Sequence, residues 1–292
     1  MNMLPQDIRL IAIDIDGTLL NPQKQISPRT RAAIRAAREA GITVTLATAR
    51  RYLSTGSIAT ELGLDIPIVL YDGALILDHP DGHVLHTNLL QAEIAQQVVD
   101  VLVEYNVQPV IHHFTNQVEE TWTGPEDFDN EDVAKYFAYL PEINIIRRFQ
   151  HATCCMGQPD PLRIVAFTTE DRVMKLVPAI SSLHCAWNIT PLGSYQTAEL
   201  AIMHKTCSKA SGVEALARHL GITMQQVMAI GDNNNDIEML QAAGWGVAMG
   251  QAPEAVKAVA HAVTASNAED GVALAIERYV LERQAASNSR SR

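Results

Sequence analysis

Two carboxylates one residue apart, Asp14 and Asp16, follow a short apolar run that begins at Leu10. The run has the composition of a strand that is buried on both faces of a parallel sheet. Gly17 comes directly after the second carboxylate and permits the chain to turn sharply away from the strand. Because open α/β sheets bind ligands at the carboxyl ends of their strands, these two aspartates are candidate chemical groups.

Two carboxylates this close repel each other unless a cation lies between them. A hard divalent ion with oxygen ligands suits such a pair, and Mg²⁺ is the first candidate. The same ion would neutralise an incoming phosphate and make a weak carboxylate nucleophile useful. An isolated Asp-x-Asp is usually a turn with solvated acids. The whole segment Asp-Ile-Asp-Gly-Thr-Leu-Leu after a buried strand is a much more specific signal of a functional site.

A second apolar run, starting near Gln226, also ends in a glycine and a carboxylate, here Asp232. Asp236 follows four residues later, on the same face of a helix if one begins here. Asp232 can complete a metal shell that Asp14 begins, and Asp236 can hold a metal-bound water or orient a neighbouring group. An asparagine-rich turn with helix-capping acids is the alternative interpretation of this segment.

Two further segments offer groups that bind phosphate. The strand-like run 42–47 ends in Thr48 and Arg50, and a hydroxyl and a guanidinium at a strand end can hydrogen-bond a phosphoryl oxygen. A threonine at this place is also explained by β-propensity alone. Lys205 and Lys209 compete for a third role, because a lysine where a helix begins can pair with both a phosphate and a carboxylate.

These segments resemble, in order, the four motifs of the haloacid-dehalogenase (HAD) superfamily of phosphotransferases. Its first motif, DxDGTL, matches residues 14–19, and its GDxxND motif matches residues 231–236. The family's threonine motif falls at Thr48, and its lysine, twelve residues before Gly221, falls at Lys209 and not at Lys205. The length of the segment between the second and third motifs resembles the Cof-type branch, subfamily IIB, whose members carry a C2 cap.

The chain departs from this branch at two positions. Ala49 stands where relatives commonly have glycine, and Thr48 is the residue of this segment that the resemblance carries over as a phosphate ligand. Asp72 stands where the branch usually has an asparagine near the substrate. Because Asp72-Gly73 is also a favourable hairpin turn, a structural and a functional interpretation of Asp72 both stay open.

The resemblance implies a Mg²⁺-dependent phosphoric monoester hydrolase that works through an aspartyl-phosphate. Asp14 would attack phosphorus, and Asp16 would protonate the leaving oxygen and then deprotonate the hydrolytic water. Asp14, the backbone carbonyl of Asp16 and Asp232 would hold Mg²⁺, and Asp236 would support them. The residues expected to contact the phosphoryl group or the rest of the substrate are Thr48, Lys209, Asn235, Asp72 and Arg50.

The order of the elements predicts an α/β fold, a Rossmann-like doubly wound parallel sheet in residues 1–84 and 196–292. The core is expected to resume at the strand-like run Ala198 to Met203. Between these parts, strands and helices do not alternate strictly, which favours an α+β module with an antiparallel sheet. The resemblance identifies residues 85–195 as an inserted cap that closes over the site and chooses the substrate.

Several residues of the predicted cap invite other interpretations. His112 and His113 are neighbours on a strand, so their side chains point to opposite faces and do not suit a shared metal ion. The aromatic residues Trp122, Trp187 and Tyr195 could stack on a sugar, but their small number favours a place in the core.

Composition narrows the choice of partner and compartment. The net charge of −11 argues against nucleic acid or an anionic membrane as a partner. The sequence predicts a cytoplasmic protein, because it has four cysteines without a CxxC pair, no signal-like start and no apolar run of membrane-spanning length. Residues 285–292, which are rich in serine and arginine, are expected to be disordered.

The expected partner is a small phosphorylated metabolite, such as a sugar phosphate, and the protein is expected to be a monomer or a homodimer. Two alternative functions stay open. A phosphomutase of the same superfamily would share every motif and return the phosphoryl group to a substrate. A catalytically idle ligand-binding module would keep the fold without the reaction.

Overall fold

The computed structural model describes residues 7–140, 145–190 and 197–283. These residues divide into two compact units. Unit 1 contains the described residues up to His86 and from Ser208 onward, and unit 2 contains those from Thr87 to Cys207. The predicted disorder of residues 285–292 and the prediction for Tyr195 fall outside the described residues.

Strands and helices follow one another along both units. The strands are β1 (Leu10–Ile13), β2 (Thr43–Leu46), β3 (Ile68–Leu70), β4 (Leu75–Leu77), β5 (Val84–Thr87), β6 (Pro109–Thr115), β7 (Val118–Thr123), β8 (Ile145–Arg148), β9 (Arg163–Thr168), β10 (Cys185–Thr190), β11 (Ala198–His204), β12 (Val227–Gly231), β13 (Trp245–Ala248) and β14 (Ala262–Val263). The α-helices are α1 (Pro28–Glu39), α2 (Tyr52–Glu61), α3 (Ala92–Glu104), α4 (Glu131–Ala138), α5 (Glu170–Ser181), α6 (Lys209–His219), α7 (Ile237–Ala242), α8 (Glu254–Val259) and α9 (Gly271–Ile276). No helix within the described ranges has both the length and the apolar character needed to cross a membrane.

The central sheet of unit 1 is parallel, with strand order β14-β13-β12-β1-β2. β1 lies inside this sheet and all four of its residues are buried, which explains its uninterrupted apolar sequence. Its last residue, Ile13, is in register with Ile230 of β12 and Leu46 of β2. The polar residues that follow these strands therefore emerge at one edge of the sheet, and the predicted doubly wound α/β fold is confirmed.

A smaller sheet of β3, β4 and β5 extends unit 1 beyond β2. A single parallel bridge between Ala47 and Val69 connects it to the central sheet. β3 and β4 are antiparallel, and residues 71–74 join them. This turn carries Asp72 to the same edge at which β1 ends, because β3 runs parallel to β2 at the bridge.

Unit 2 is built on a six-stranded sheet with strand order β10-β11-β9-β6-β7-β8. Neighbouring strands are antiparallel except for β7 and β8, which are parallel. Helices α3 and α5 pack on one face of the sheet, and α4 packs on the other. The antiparallel α+β character expected for this part of the chain is what the structure shows.

The expected return to the core at residue 196 is wrong for the strand that follows it. β11 pairs with β9 and β10 in the sheet of unit 2, and unit 1 resumes only at Ser208. An apolar strand that is covered on both faces has the same sequence pattern in either sheet, so its composition did not reveal its partners. Trp187 also differs from expectation: it lies on the edge strand β10 with 38% of its surface exposed, whereas Trp122 is buried in the core as predicted.

Candidate active site

Asp14 follows β1 directly and is buried. Its backbone N–H donates to the carbonyl of Ile230 at 3.0 Å, which ties the end of β1 to the end of β12. Gly17 has a φ of +82°, and a Cβ at this position would lie 2.3 Å from Oδ2 of Asp232. Glycine is therefore needed both for the turn after Asp16 and for the close approach of Asp232.

Lys209 places a buried ammonium between two carboxylates. Its Nζ lies 2.6 Å from Oδ1 of Asp14 and 2.7 Å from Oδ1 of Asp236. Burial lowers the pKa of Lys209, but the charges of Asp14 and Asp236 outweigh burial and raise the pKa above its ordinary value. The lysine is the first residue of α6, which Ser208 caps by accepting from the N–H of Ser211. Helix capping thus fixes the residue that carries the positive charge.

Asp236 is fully buried, and both of its carboxylate oxygens accept hydrogen bonds. Oδ1 accepts from Lys209, and Oδ2 accepts from the backbone N–H groups of Asp232 and Asn233 at 2.9 and 3.0 Å. Its main role in the structure is therefore to shape the turn after β12 and to position Lys209.

The group formed by Asp14, Asp232 and Asp236 could hold a metal ion, because one carboxylate oxygen from each residue lies within 4.8 Å of the other two. Burial raises the pKa of Asp14 well above its ordinary value, and the carboxylates of Asp236 and Asp232 add to the rise. Burial also raises the pKa of Asp232 to about 6. Carboxylates that are buried together in this way favour a divalent cation, and the donor set is all oxygen, as Mg²⁺ prefers.

Asp16 is placed differently from this group. Arg50 donates to both of its oxygens, from Nε at 2.6 Å and from Nη2 at 2.7 Å, and Lys24 lies 3.5 Å away. Burial raises the pKa of Asp16, but the hydrogen bonds and charge of Arg50 outweigh burial and hold the pKa below its ordinary value. Arg50 was expected to bind phosphate, and Asp16 was expected to carry a proton. In this structure the two side chains pair with each other.

Thr48 lies at the end of β2 with its side chain buried. Its Oγ1 accepts from the backbone N–H of Arg50 at 3.1 Å, and its carbonyl accepts from the N–H of Asp72 at 3.0 Å. The hydroxyl is therefore fixed where the chain leaves β2, between the segments that carry Arg50 and Asp72.

Asp72 is a turn residue whose carboxylate also hydrogen-bonds another candidate site residue. Its φ of +53° belongs to the left-handed region, and Gly73 follows with a φ of +94°. Its Oδ1 accepts from Nδ2 of Asn235 at 2.9 Å, which joins the β3–β4 turn to the turn after β12. The charge of Asp72 also adds to the raised pKa of Lys209.

Three residues in this region escaped the sequence interpretation. Thr18 donates from Oγ1 to Oδ1 of Asp232 at 2.8 Å, and Gln251 donates from Nε2 to the carbonyl of Gly17 at 2.6 Å. Asn267 donates from its backbone N–H to Oε1 of Gln251 at 3.1 Å. Thr18 stands inside the first motif and could have been found there, whereas uncharged residues in loops far along the chain carry no comparable signal.

The histidine pair of unit 2 is divided between the two faces of its sheet, as predicted. His112 hydrogen-bonds the hydroxyl of Tyr136 at 2.8 Å and accepts from Nε of Arg163 at 3.1 Å. His113 stacks on Trp122 with ring centroids 3.9 Å apart. The two imidazoles therefore do not form a joint metal site.

Known proteins resemble this chain over nearly its whole length. The model of the family described as haloacid dehalogenase-like hydrolase matches residues 11–276. The 5-amino-6-(5-phospho-D-ribitylamino)uracil phosphatase YcsE of Bacillus subtilis is 32% identical over 94% of this chain and 97% of its own length. The pyridoxal phosphate phosphatase YbhA of Escherichia coli is 29% identical over 94% of this chain and 99% of its own length.

A solved structure, described as that of the HAD subclass IIB sugar phosphatase BT4131, resembles the fold with a TM-score of 0.76. It is 26% identical in sequence, and the match covers 93% of this chain and 98% of that one. The match therefore includes both the parallel sheet and the antiparallel module.

Proposed function

The chain belongs to the haloacid dehalogenase-like hydrolase family, and we propose that it is a Mg²⁺-dependent phosphatase that forms an aspartyl-phosphate on Asp14. The relatives YcsE and YbhA are phosphatases by name, and this protein is a phosphoric monoester hydrolase. The observation that carries the mechanism is the buried contact of Lys209 with Asp14, beside the carboxylate of Asp232.

Asp14 is the nucleophile in this proposal. Lys209 occupies Oδ1, so we assign the attack on phosphorus to Oδ2. A bond forms between this oxygen and phosphorus while the bond from phosphorus to the leaving oxygen breaks. Water then attacks phosphorus, which releases inorganic phosphate and restores the Asp14 carboxylate.

Mg²⁺ would be held by the carboxylates of Asp14 and Asp232 and by the backbone carbonyl of Asp16. When bound, it supplies positive charge that offsets the repulsion between the carboxylates and the phosphate. Lys209 and Thr48 would hold the phosphoryl oxygens on the side of the protein. Asn235 and Asp72, which hydrogen-bond each other, would contact the substrate or keep the neighbouring groups in place.

Asp16 serves as the acid and then as the base. Its pairing with Arg50 keeps it ionised in the structure, a state suited to deprotonating the hydrolytic water. To donate a proton to the leaving oxygen, Asp16 must first be released from this pair. A bound phosphoryl group is a competing anion for the guanidinium, so we propose that the substrate draws Arg50 away from Asp16.

The substrate is a small phosphorylated metabolite, and we propose that unit 2 selects it. The curated relatives that match almost the whole chain act, by their names, on different phosphorylated compounds, a ribitylaminouracil phosphate and pyridoxal phosphate. The nucleophile, lysine and carboxylates lie in unit 1, so differences in specificity are expected to depend on residues in unit 2.

Two experiments test these proposals. Phosphate release is measured with Mg²⁺ and no acceptor on a panel containing 5-amino-6-(5-phospho-D-ribitylamino)uracil, pyridoxal phosphate and hexose phosphates. Turnover of at least one compound is expected, whereas strict dependence on a phosphate acceptor would indicate a mutase. Exchange of residues 87–207 with those of a relative is expected to exchange the preferred compound, and an unchanged preference in folded chimeras would refute the role of unit 2.

A further inference from the structure

The side chain of Gln251 connects three parts of unit 1. Its Nε2 donates to the carbonyl of Gly17 at 2.6 Å, and its Oε1 accepts from the backbone N–H of Asn267 at 3.1 Å. One uncharged side chain thus joins the turn after Asp16 to the loop before α9.

These contacts leave the Gln251 amide one orientation. A carbonyl such as that of Gly17 only accepts, and a backbone N–H such as that of Asn267 only donates. The amide nitrogen must therefore face Gly17, and the amide oxygen must face Asn267. The orientation follows from the chemistry of the partners.

Asn267, which donates to Gln251, is itself held by a further hydrogen bond. Nδ2 of Asn267 donates to the carbonyl of Leu20 at 2.8 Å, and Leu20 lies directly after the first motif. The N–H of Gly250 donates to the carbonyl of Ala265 at 3.0 Å, and a Cβ on Gly250 would lie 2.9 Å from the backbone of Ser266. The two loops that carry Gln251 and Asn267 are therefore packed against each other.

The Asp232 carboxylate is consequently held from more than one side. Thr18 donates to Oδ1, and Oδ2 packs over Gly17, where no side chain would fit. A shift of the Gly17 turn would therefore change the surface against which Oδ2 of Asp232 lies.

We propose that Gln251, held by Asn267, is a positioning residue: it fixes the Gly17 turn, which packs against the Asp232 carboxylate, and so keeps that carboxylate oriented for cation binding. This inference rests on the proposed function, because it takes Asp232 as a ligand of Mg²⁺. Partners that orient a metal ligand without touching the ion typically change metal affinity by about 10- to 100-fold when they are removed.

Calorimetric titration of the full chain with Mg²⁺ alone tests the proposal. Gln251→Ala is expected to weaken Mg²⁺ binding by about 10-fold, and Gln251→Asn, whose amide is one methylene shorter, by a smaller factor. Gln251 is exposed, so neither change removes core packing. Gln225→Ala, at an exposed glutamine of the Met224–Gln226 turn, is the matched control and is expected to bind like the wild type.

Thermal unfolding of the same proteins separates positioning from simple tethering. A lower Tm with an unchanged Mg²⁺ dissociation constant in both Gln251 variants would overturn the proposal, because Gln251 would then only fasten the loops together. If Gln251→Ala does not fold, Gln251→Asn decides the question by the same titration. A wild-type protein that binds no Mg²⁺ would refute the proposed function itself, a result distinct from equal binding by wild type and variants.

Discussion

At the scale of single residues, the site depends on the buried ammonium group of Lys209, which pairs with two carboxylates. Lys209 contacts Asp14 and Asp236 in surroundings where neither carboxylate has much access to water. Removal of one member of a buried ion pair is costly because it leaves the other charges uncompensated. The same ammonium sits on the oxygen next to the one that we assign to nucleophilic attack.

Lys209→Met is therefore expected to lower both activity and stability. We expect kcat/KM to fall by about 10²- to 10³-fold, as for loss of one charge-stabilising donor, and the free energy of unfolding to fall by about 3 kcal/mol. Steady-state phosphate release and denaturant unfolding measure the two effects. Lys205→Met is the control, because Lys205 is exposed and its described contact is with His184, outside the site. Equal losses of activity and stability in both variants would contradict the role assigned to Lys209.

The sequence predicted the residues that carry charge better than it predicted their pairing. Asp14, Asp232, Asp236 and Lys209 converge because each stands at a strand end or helix start that the apolar pattern made visible. The pairing of Arg50 with Asp16 was not visible, because a guanidinium on a long side chain can reach several partners. Gln251 was missed because an amide in a loop has no pattern that marks it.

At the scale of elements, two glycines bring α6 against the β3–β4 turn. A Cβ on Gly73 would lie 2.2 Å from the carbonyl oxygen of Ser208, and a Cβ on Gly212 would lie 2.8 Å from Cα of Gly73 and 2.4 Å from Cγ1 of Val69. The first turn of α6, with Lys209, can therefore approach Asp72 only because both positions lack side chains.

Gly212→Ala is expected to destabilise the protein although alanine favours helices. The added methyl must displace backbone and Val69, and overpacking of this kind costs about 1–3 kcal/mol. Gly56→Ala in α2 is the matched control. The nearest atom to its Cβ would be in the ring of Tyr52 at 3.4 Å, and the change should stabilise the helix by up to about 1 kcal/mol. Unfolding midpoints and kcat of both variants test this, and a stable, fully active Gly212→Ala would refute the role of the contact.

The elements themselves were largely predictable, and their partners less so. The strands β1, β2 and β12 and the capped start of α1 at Ser27 and Pro28 follow from apolar runs and capping residues. β11 was recognised as a strand but assigned to the wrong sheet. Strand pairing depends on contacts between residues distant in the chain, which a local apolar pattern does not encode.

At the scale of the whole molecule, the reactive groups described in unit 1 lie apart in sequence, whereas unit 2 is one continuous segment. Unit 2 has its own buried titratable group in His113, whose burial lowers its pKa to about 4, although Glu120 acts in the opposite direction. Among the described residues, Nε2 of His113 has no hydrogen-bond partner. Its neutral form is therefore the one compatible with the fold.

The buried imidazole of His113 predicts that the stability of the protein depends on pH in the acid range. In the unfolded chain histidine has a pKa near 6.5, so between about pH 6.5 and 4 the unfolded state binds a proton that the folded state does not. Stability is then lost as the pH falls, by about 2 kcal/mol at pH 5 from this group alone.

His113→Phe keeps the ring contact with Trp122 and removes the titration. Denaturant unfolding of both proteins at pH 7.5 and pH 5 is expected to show a smaller loss of stability in the variant. Parallel loss in wild type and variant would show that His113 is not the responsible group.

The central claim is that Asp14 is the nucleophile of a metal-dependent phosphatase. The most direct measurement is phosphate release from the best substrate of the panel by wild type, Asp14→Asn and Asp7→Asn, each with Mg²⁺ and with EDTA. Asp7 is an exposed carboxylate and serves as the control. We predict Mg²⁺-dependent turnover in wild type and Asp7→Asn, and a loss of about 10⁴-fold or more in folded Asp14→Asn. Wild-type turnover by Asp14→Asn, or turnover that EDTA leaves unchanged, would contradict the account.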